Sequence, residues 1–183
     1  MKQIVIILFI SILWTSYFVQ NIYAVEKEAA GTAVLQIHAP VTDERVEILE
    51  NFLTYYNPDL VGSASQFVAE ADRLNLDWKF IVSIAGVEST FCRHIPSSSY
   101  NCWGWGIPTG ASDGIRFTSY NDGITKVSEG LRNNYISKGL ITIDQIGRVY
   151  AASPMWSYKV RYFMEKIEHW KPKPLAYYNL VNL

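Results

Sequence analysis

The chain has 183 residues, 49% of them apolar and 14% aromatic, which suits a single folded domain with a core of useful size and excludes a disordered chain. Its formal net charge is −1, which argues against nucleic acid or an anionic membrane surface as the main partner.

Lys2 is followed by a run with no charge until Glu26. A basic start, an apolar stretch from Ile4 to about Val19 and a small residue at Ala24 describe a secretory signal peptide over residues 1–24. Ile22 stands where a smaller residue is preferred for cleavage, and the run approaches the ~20 residues that span a bilayer, so a retained N-terminal membrane anchor is the alternative. Both readings place the folded part in the cell envelope or secreted. Residues 25–41 keep no sustained period and read as a linker.

From Thr42 the pattern turns helical, with Val46, Leu49, Phe52, Leu53 and Tyr56 on one stripe until Asn57-Pro58 stops it. A second helix is expected from Ser63 or Ser65, burying Phe67, Ala71 and Leu74. Asp77 is a plausible N-cap for a third helix, which is apolar almost all round from Phe80 to Phe91 and so reads as central. Glu88 is the only charge in that stretch, and Ile81, Ile84 and Ala85 lie on its face. A carboxylate there has to be paired, solvated through a cleft, or held protonated, because burying it bare costs several kcal/mol or more.

Residues 92–120 hold no helical period, and Ile115-Arg116-Phe117 is a possible short strand, so a small loop or hairpin lobe is expected. Helix returns after Asn121-Asp122, with Ile124, Val127, Leu131 and Tyr135 inward and a stop at Gly139. Thr142-x-x-Gln145 matches a capping box for a short helix to about Tyr150. Ser153-Pro154 opens a last helix whose core stripe is Trp156, Val160, Phe163, Ile167 and Trp170. The domain is therefore expected over 42–170, with a tail over 171–183.

Cys92 and Cys102 bracket the loop after Glu88, and in an exported chain they are expected to pair; closing so short a loop stabilises by about 3 kcal/mol on the chain-entropy model. A carboxylic acid kept protonated near neutral pH is what glycosidic bond cleavage requires of its general acid, and burial is what raises a carboxyl pKa; lysozyme is the handiest known instance of both. Trp103 and Trp105, alternating with glycines, offer flat faces for sugar rings, one expected in the cleft and one in the core, while Tyr100 and Asn101 could hydrogen-bond N-acetyl groups. For a second carboxylate, Asp113 in a flexible glycine-flanked stretch is the candidate, whereas Asp122 reads as a helix cap. Other chemistries lack support. His38, His94 and His169 are scattered with no H-E-x-x-H, Gly104-x-Gly106 lacks a third glycine, and a Ser97–Ser99 nucleophile with His94 and an Asp has no nucleophile elbow. No metal site and no cofactor are expected.

Ala85-Gly86-Val87-Glu88-Ser89-Thr90-Phe91, followed by Asn101-x-Trp103-Gly104-Trp105-Gly106, resembles the E-S-x-F … N-x-(F/W)-G pattern of lysozyme-like peptidoglycan hydrolases, and within them the glucosaminidase family (mannosyl-glycoprotein endo-β-N-acetylglucosaminidase-like domains). Phe117-Thr118-Ser119-Tyr120 and Tyr150-Ala151-Ala152-Ser153-Pro154 are similar to two further segments of that family, so that the matches run from about Leu53 to Ile167. The resemblance implies a mainly α, lysozyme-like fold with a cleft between helical and loop lobes. It implies Glu88 as general acid, Tyr150 as a residue close to it, and substrate contacts from Ser89, Phe91, Tyr100, Asn101, Trp103, Trp105 and Tyr120. The implied substrate is peptidoglycan or a related N-acetylated glycan, cut by a monomer. Ser153 stands where the family has Asp, and the loop between Ile107 and Phe117 is short. Both departures bear on the second carboxylate and make a lytic transglycosylase, which needs one acid, the alternative to hydrolysis. A wall-binding module without catalysis is the reading from another class.

Overall fold

The computed structural model describes residues 43–171 apart from 109, 112 and 113. The expected signal segment 1–24, the linker 25–41, nearly all of the tail and Asp113 lie outside the described residues. The protein is mainly helical, with six α-helices among the described residues: α1 (Glu44–Tyr56), α2 (Ala64–Leu74), α3 (Phe80–Ser89), α4 (Tyr120–Asn134), α5 (Ile143–Tyr150) and α6 (Trp156–Glu168). Short 3-10 turns at Pro58–Ser63 and Ile136–Lys138 complete the order.

The ends of these helices follow local chemistry. Asp43 caps α1 by accepting from the Arg45 amide at 3.0 Å. Asn57 ends it in an extended conformation, and its own side chain accepts from the Asp59 amide to start the 3-10 turn. Thr142 and Gln145 form the reciprocal capping box expected of them at the start of α5. Ser119 caps α4 through the Asp122 amide, while the Asp122 carboxylate accepts from Thr118 and pairs with Lys126, as suits an acid in a first turn. Asp77 acts one turn earlier than expected. Its side chain takes the Lys79 amide in the turn that leads into α3, and no side chain caps the helix itself. Ser153 likewise closes a turn through the Met155 amide, so α6 begins two residues past the expected proline.

The α3 helix is the axis of the domain. Every residue from Phe80 to Gly86 is buried, and the helix packs chiefly against α6, while α4 packs on α2. Around it lie Leu49, Phe52 and Leu53 of α1, Phe67 of α2, Ile124, Val127 and Leu131 of α4, and Trp156, Val160 and Ile167 of α6, all at most 2% exposed. Each such side chain contributes about 1.5–3 kcal/mol by leaving water. Arg132 on α4 covers the end of α2 by donating to the Leu74 and Asn75 carbonyls, both at 2.6 Å.

Ile115–Phe117 is not a strand; among the described residues there is none. The Phe117 amide donates to the Ser99 carbonyl at 2.9 Å, and the Ile115 carbonyl is taken by the Asn101 side chain at 2.8 Å. A side-chain amide thus stands where a ladder partner would be, and no second strand is needed. The irregular lobe is a set of turns.

At Gly86 the centre of α3 has no room for a side chain. A Cβ there would lie 2.5 Å from Phe91 Cζ and 3.1 Å from Phe163 Cδ2. Gly86→Ala is therefore expected to destabilise by about 1–3 kcal/mol through overpacking, despite alanine's ~1 kcal/mol advantage within a helix. Chemical denaturation measures it, and equal or greater stability would show that the Phe91 ring moves aside freely.

Candidate active site

The chain leaves α3 through an unusual turn. Thr90, Phe91 and Cys92 all have left-handed φ, at 55°, 55° and 66°, without a glycine among them. Such a conformation costs roughly 1–2 kcal/mol per residue, so the surroundings have to hold it. Phe91 donates from its amide to the Ala85 carbonyl at 3.0 Å, and its carbonyl accepts from the Asn57 side chain at 2.8 Å. The Ser89 hydroxyl accepts from the Cys92 amide and donates to the Cys102 carbonyl, each at 2.8 Å. The Cys92–Cys102 disulfide, with Cα atoms 4.6 Å apart, closes the loop. Inside, the buried Phe91 ring meets Phe52, Tyr56 and Phe163 edge-on or tilted, at centroid distances of 5.2, 4.6 and 5.0 Å.

Several residues expected to touch substrate are engaged in building this lobe. Ser89 and Phe91 hold the turn. Asn101, 2% exposed, donates to the Trp105 and Ile115 carbonyls and accepts from the Trp105 amide. The Trp103 ring is wholly buried and its indole donates to the Ile81 carbonyl at 3.0 Å, so it offers no face to a ligand. Trp105 is half-buried and packs near Tyr135 and Tyr150. Tyr100 and Tyr120 pair edge-to-face at 5.1 Å, and neither lines the cleft described next. Burial and the field of Asp59 push the Tyr120 hydroxyl above its ordinary pKa.

Glu88 opens onto a cleft of about 530 Å³ walled by Val87, Trp103, Gly104, Ile107, Tyr150–Ser153, Trp156 and Lys159. Its side chain is exposed rather than buried, so the last turn of an apolar helix solves its acid problem through a cleft. The carboxyl itself is nevertheless held close to protein. Oε1 accepts from the Trp156 indole at 2.7 Å, and a Cβ on Gly104 would stand 3.5 Å from Oε2. Gly104 has φ +62°, so glycine is favoured there by backbone conformation and the space is ordinary. Loss of water around the carboxyl raises its pKa, while the Trp156 hydrogen bond and the Lys159 charge draw it partly back. The result is an acid held above the usual glutamate range.

Tyr150, expected close to the acid, is there. It stacks on Trp156 at 4.9 Å and donates its hydroxyl to the Trp103 carbonyl at 2.7 Å. Burial and the Glu88 charge push its pKa well above that of a free phenol. Trp156 and Lys159 are the site residues that the sequence reading did not single out. Trp156 read as core, which its 2% exposure bears out, and only its indole edge reaches the acid. The available signal for Lys159 was its place three residues on, beside the same face. A smaller hollow of about 240 Å³ is bordered by Lys79, Arg161 and Glu168. Lys79 is paired there with Glu168 and Arg161 with Asp144, and Glu165 and His169 complete its polar lining.

No protein-family model matches the chain, and no curated protein matches it.

Two measurements follow from this geometry. Trp156→Phe keeps an aromatic face for Tyr150 and removes the donor to Glu88, so the Glu88 pKa, followed by carboxyl NMR titration, is expected to rise further; a fall would mean that the indole is not stabilising the carboxylate. Replacing Cys92 and Cys102 by serine is expected to lower stability by about 3 kcal/mol. Unchanged melting would show that the hydrogen bonds from Asn57 and Ser89 hold the turn alone.

Proposed function

We propose that the protein is an exported glycosidase with a lysozyme-like arrangement, cutting β-linked N-acetylated glycan of the bacterial cell wall with Glu88 as general acid. The observation that carries this reading is the placement of Glu88: a lone carboxyl at the end of a buried helix, opened onto a cleft, with a pKa raised by loss of water. Such a group is protonated at a higher pH than a free glutamate and can deliver its proton to a glycosidic oxygen entering the cleft. The order of motifs resembling the glucosaminidase family supports the same class, and the Cys92–Cys102 disulfide fits an oxidising, extracytoplasmic compartment.

In the hydrolytic form, Glu88 protonates the leaving oxygen as the sugar gains oxocarbenium character, and a second group assists water. Asp113 remains the candidate for that group. Tyr150 and Trp156 act through Glu88 and the cleft wall, the indole fixing one carboxyl oxygen and the phenol fixing the Trp103 backbone. One observation favours a second reading. Among the described residues lining the cleft, Glu88 is the sole carboxylate. In a lytic transglycosylase, Glu88 first gives its proton to the leaving oxygen. The resulting carboxylate then takes a proton from a hydroxyl of the same sugar as that oxygen attacks the anomeric carbon, closing an anhydro ring.

Digestion of purified peptidoglycan with product masses tests both forms. Glu88→Gln is expected to lower cleavage by about 10²–10⁴-fold, the usual weight of a general acid. Products ending in reducing N-acetylglucosamine identify the glucosaminidase, and anhydro-muramic ends identify the transglycosylase. Equal cleavage by parent and variant removes Glu88 as the acid, and binding to the wall with no cleavage by the parent leaves a carbohydrate-binding module.

A further inference from the structure

The outer face of α6 continues from the cleft as a line of cations and aromatic rings. At 3.6 residues per turn, Lys159, Tyr162 and Lys166 fall within about 60° of arc. Lys159 borders the cleft and acts electrostatically on Glu88. One turn on, the Tyr162 ring is 48% exposed, and Lys166 donates back to its hydroxyl at 3.3 Å. The Lys166 ammonium also stands 5.3 Å from the Tyr56 ring centroid and 5.4 Å from that of Tyr162. Arg93, from the left-handed turn after α3, donates to the Tyr56 carbonyl at 3.2 Å.

Three cations therefore mark a path from the acid to Tyr56. The ion pairs among the described residues join other groups, and among those residues none of these three cations is in an ion pair. Glu165 and Glu168 of the same helix fall outside the arc, and Glu168 is held by Lys79. In a chain of formal net charge −1, this is a local segregation of positive charge beside the cleft.

We propose that this strip is an extended subsite for the glycan strand leading into the cleft, and that it selects strands carrying carboxylate substituents over neutral ones. The inference rests on the glycosidase reading for the identity of the strand. Tyr162 supplies a flat face for a sugar ring, and Lys159, Lys166 and Arg93 supply partners for carboxylates hung from it. A carboxylate seated at Lys159 also offsets the pull of that cation on Glu88, favouring the protonated acid when such a strand is bound.

The test uses the full chain and two probes: peptidoglycan glycan fragments with free stem carboxylates, and the same fragments with those carboxylates capped as methyl amides. Binding is measured with Glu88→Gln and turnover with the parent. The carboxylated probe is expected to bind about 5- to 20-fold more tightly at low salt, through exposed ion pairs. The preference is expected to approach one near 1 M salt, where the screening length is about 3 Å. Lys166→Gln is expected to reduce it, Lys166→Arg to retain it, and Lys159→Gln with Lys166→Gln to remove it. Binding to neither probe, equal affinity for both, or a preference that survives the double replacement overturns the strip. Cleavage of both probes with the same KM overturns the strip and leaves the glycosidase standing. Carboxylate-dependent binding with no cleavage by the parent does the reverse.

Discussion

The left-handed turn at Thr90–Cys92 is the constraint on which the arrangement of the domain depends. A helix ending in an acid normally runs into solvent or unwinds gradually, yet here the backbone reverses within three residues that disfavour the required φ. Three independent ties hold it: the Asn57 amide on the Phe91 carbonyl, the Ser89 hydroxyl between Cys92 and Cys102, and the disulfide. The tight reversal carries Phe91 under Gly86 and into the aromatic cluster of α1 and α6. It also returns the chain so that Trp103 and Gly104 face the end of α3, where Glu88 stands. Relaxing the turn would release both the core ring and the cleft wall.

Around Glu88 the competing effects are of different kinds, and their balance gives the site its character. Protein close to the carboxyl disfavours the charged form, while one indole hydrogen bond and one lysine favour it, and the first effect prevails. Full burial would have demanded a partner for every oxygen. Full exposure would have returned an ordinary glutamate. The open cleft leaves Oε2 without a donor to match the Trp156 bond on Oε1 among the described contacts, which is where a substrate oxygen would approach under the proposed chemistry.

The sequence was most informative where structure is local. The capping box at Thr142 and Gln145 and the stop at Asn57-Pro58 involve neighbours within a turn or two and are found as expected, and the last helix keeps its stripe through Ile167 but ends at Glu168, short of Trp170. The loop lobe was read less well for a physical reason. Ser89 and Asn101 look like ligand-binding polar groups in a chain of letters, but buried backbone atoms of an irregular segment need partners, and these two side chains supply them. The same demand explains Ile115–Phe117, which has the composition of a strand but is held by the Ser99 carbonyl and the Asn101 side chain. Of Trp103 and Trp105, expected to divide between cleft and core, Trp103 is the one in the core, its N–H meeting the Ile81 carbonyl. The contact between Trp156 and Glu88 spans 68 residues, and no spacing rule reaches that far.

That last contact shows why α6 carries more of the site than its sequence suggests. A helix that crosses the end of α3 can divide its circumference among separate tasks. Val160 and Ile167 face the core, Trp156 places its ring in the core and its N–H at the acid, Lys159 lines the cleft, and Tyr162 is exposed. Because these tasks follow from rotation about one axis, they are coupled. A shift of α6 by one residue would turn each side chain by about 100°, moving the indole off the carboxyl and the lysine off the cleft margin together. The packing of Phe163 against Phe91 and Gly86 therefore fixes the electrostatics of Glu88 as well as the core, and the apolar contacts between α3 and α6 set the register on which the chemistry of the cleft depends.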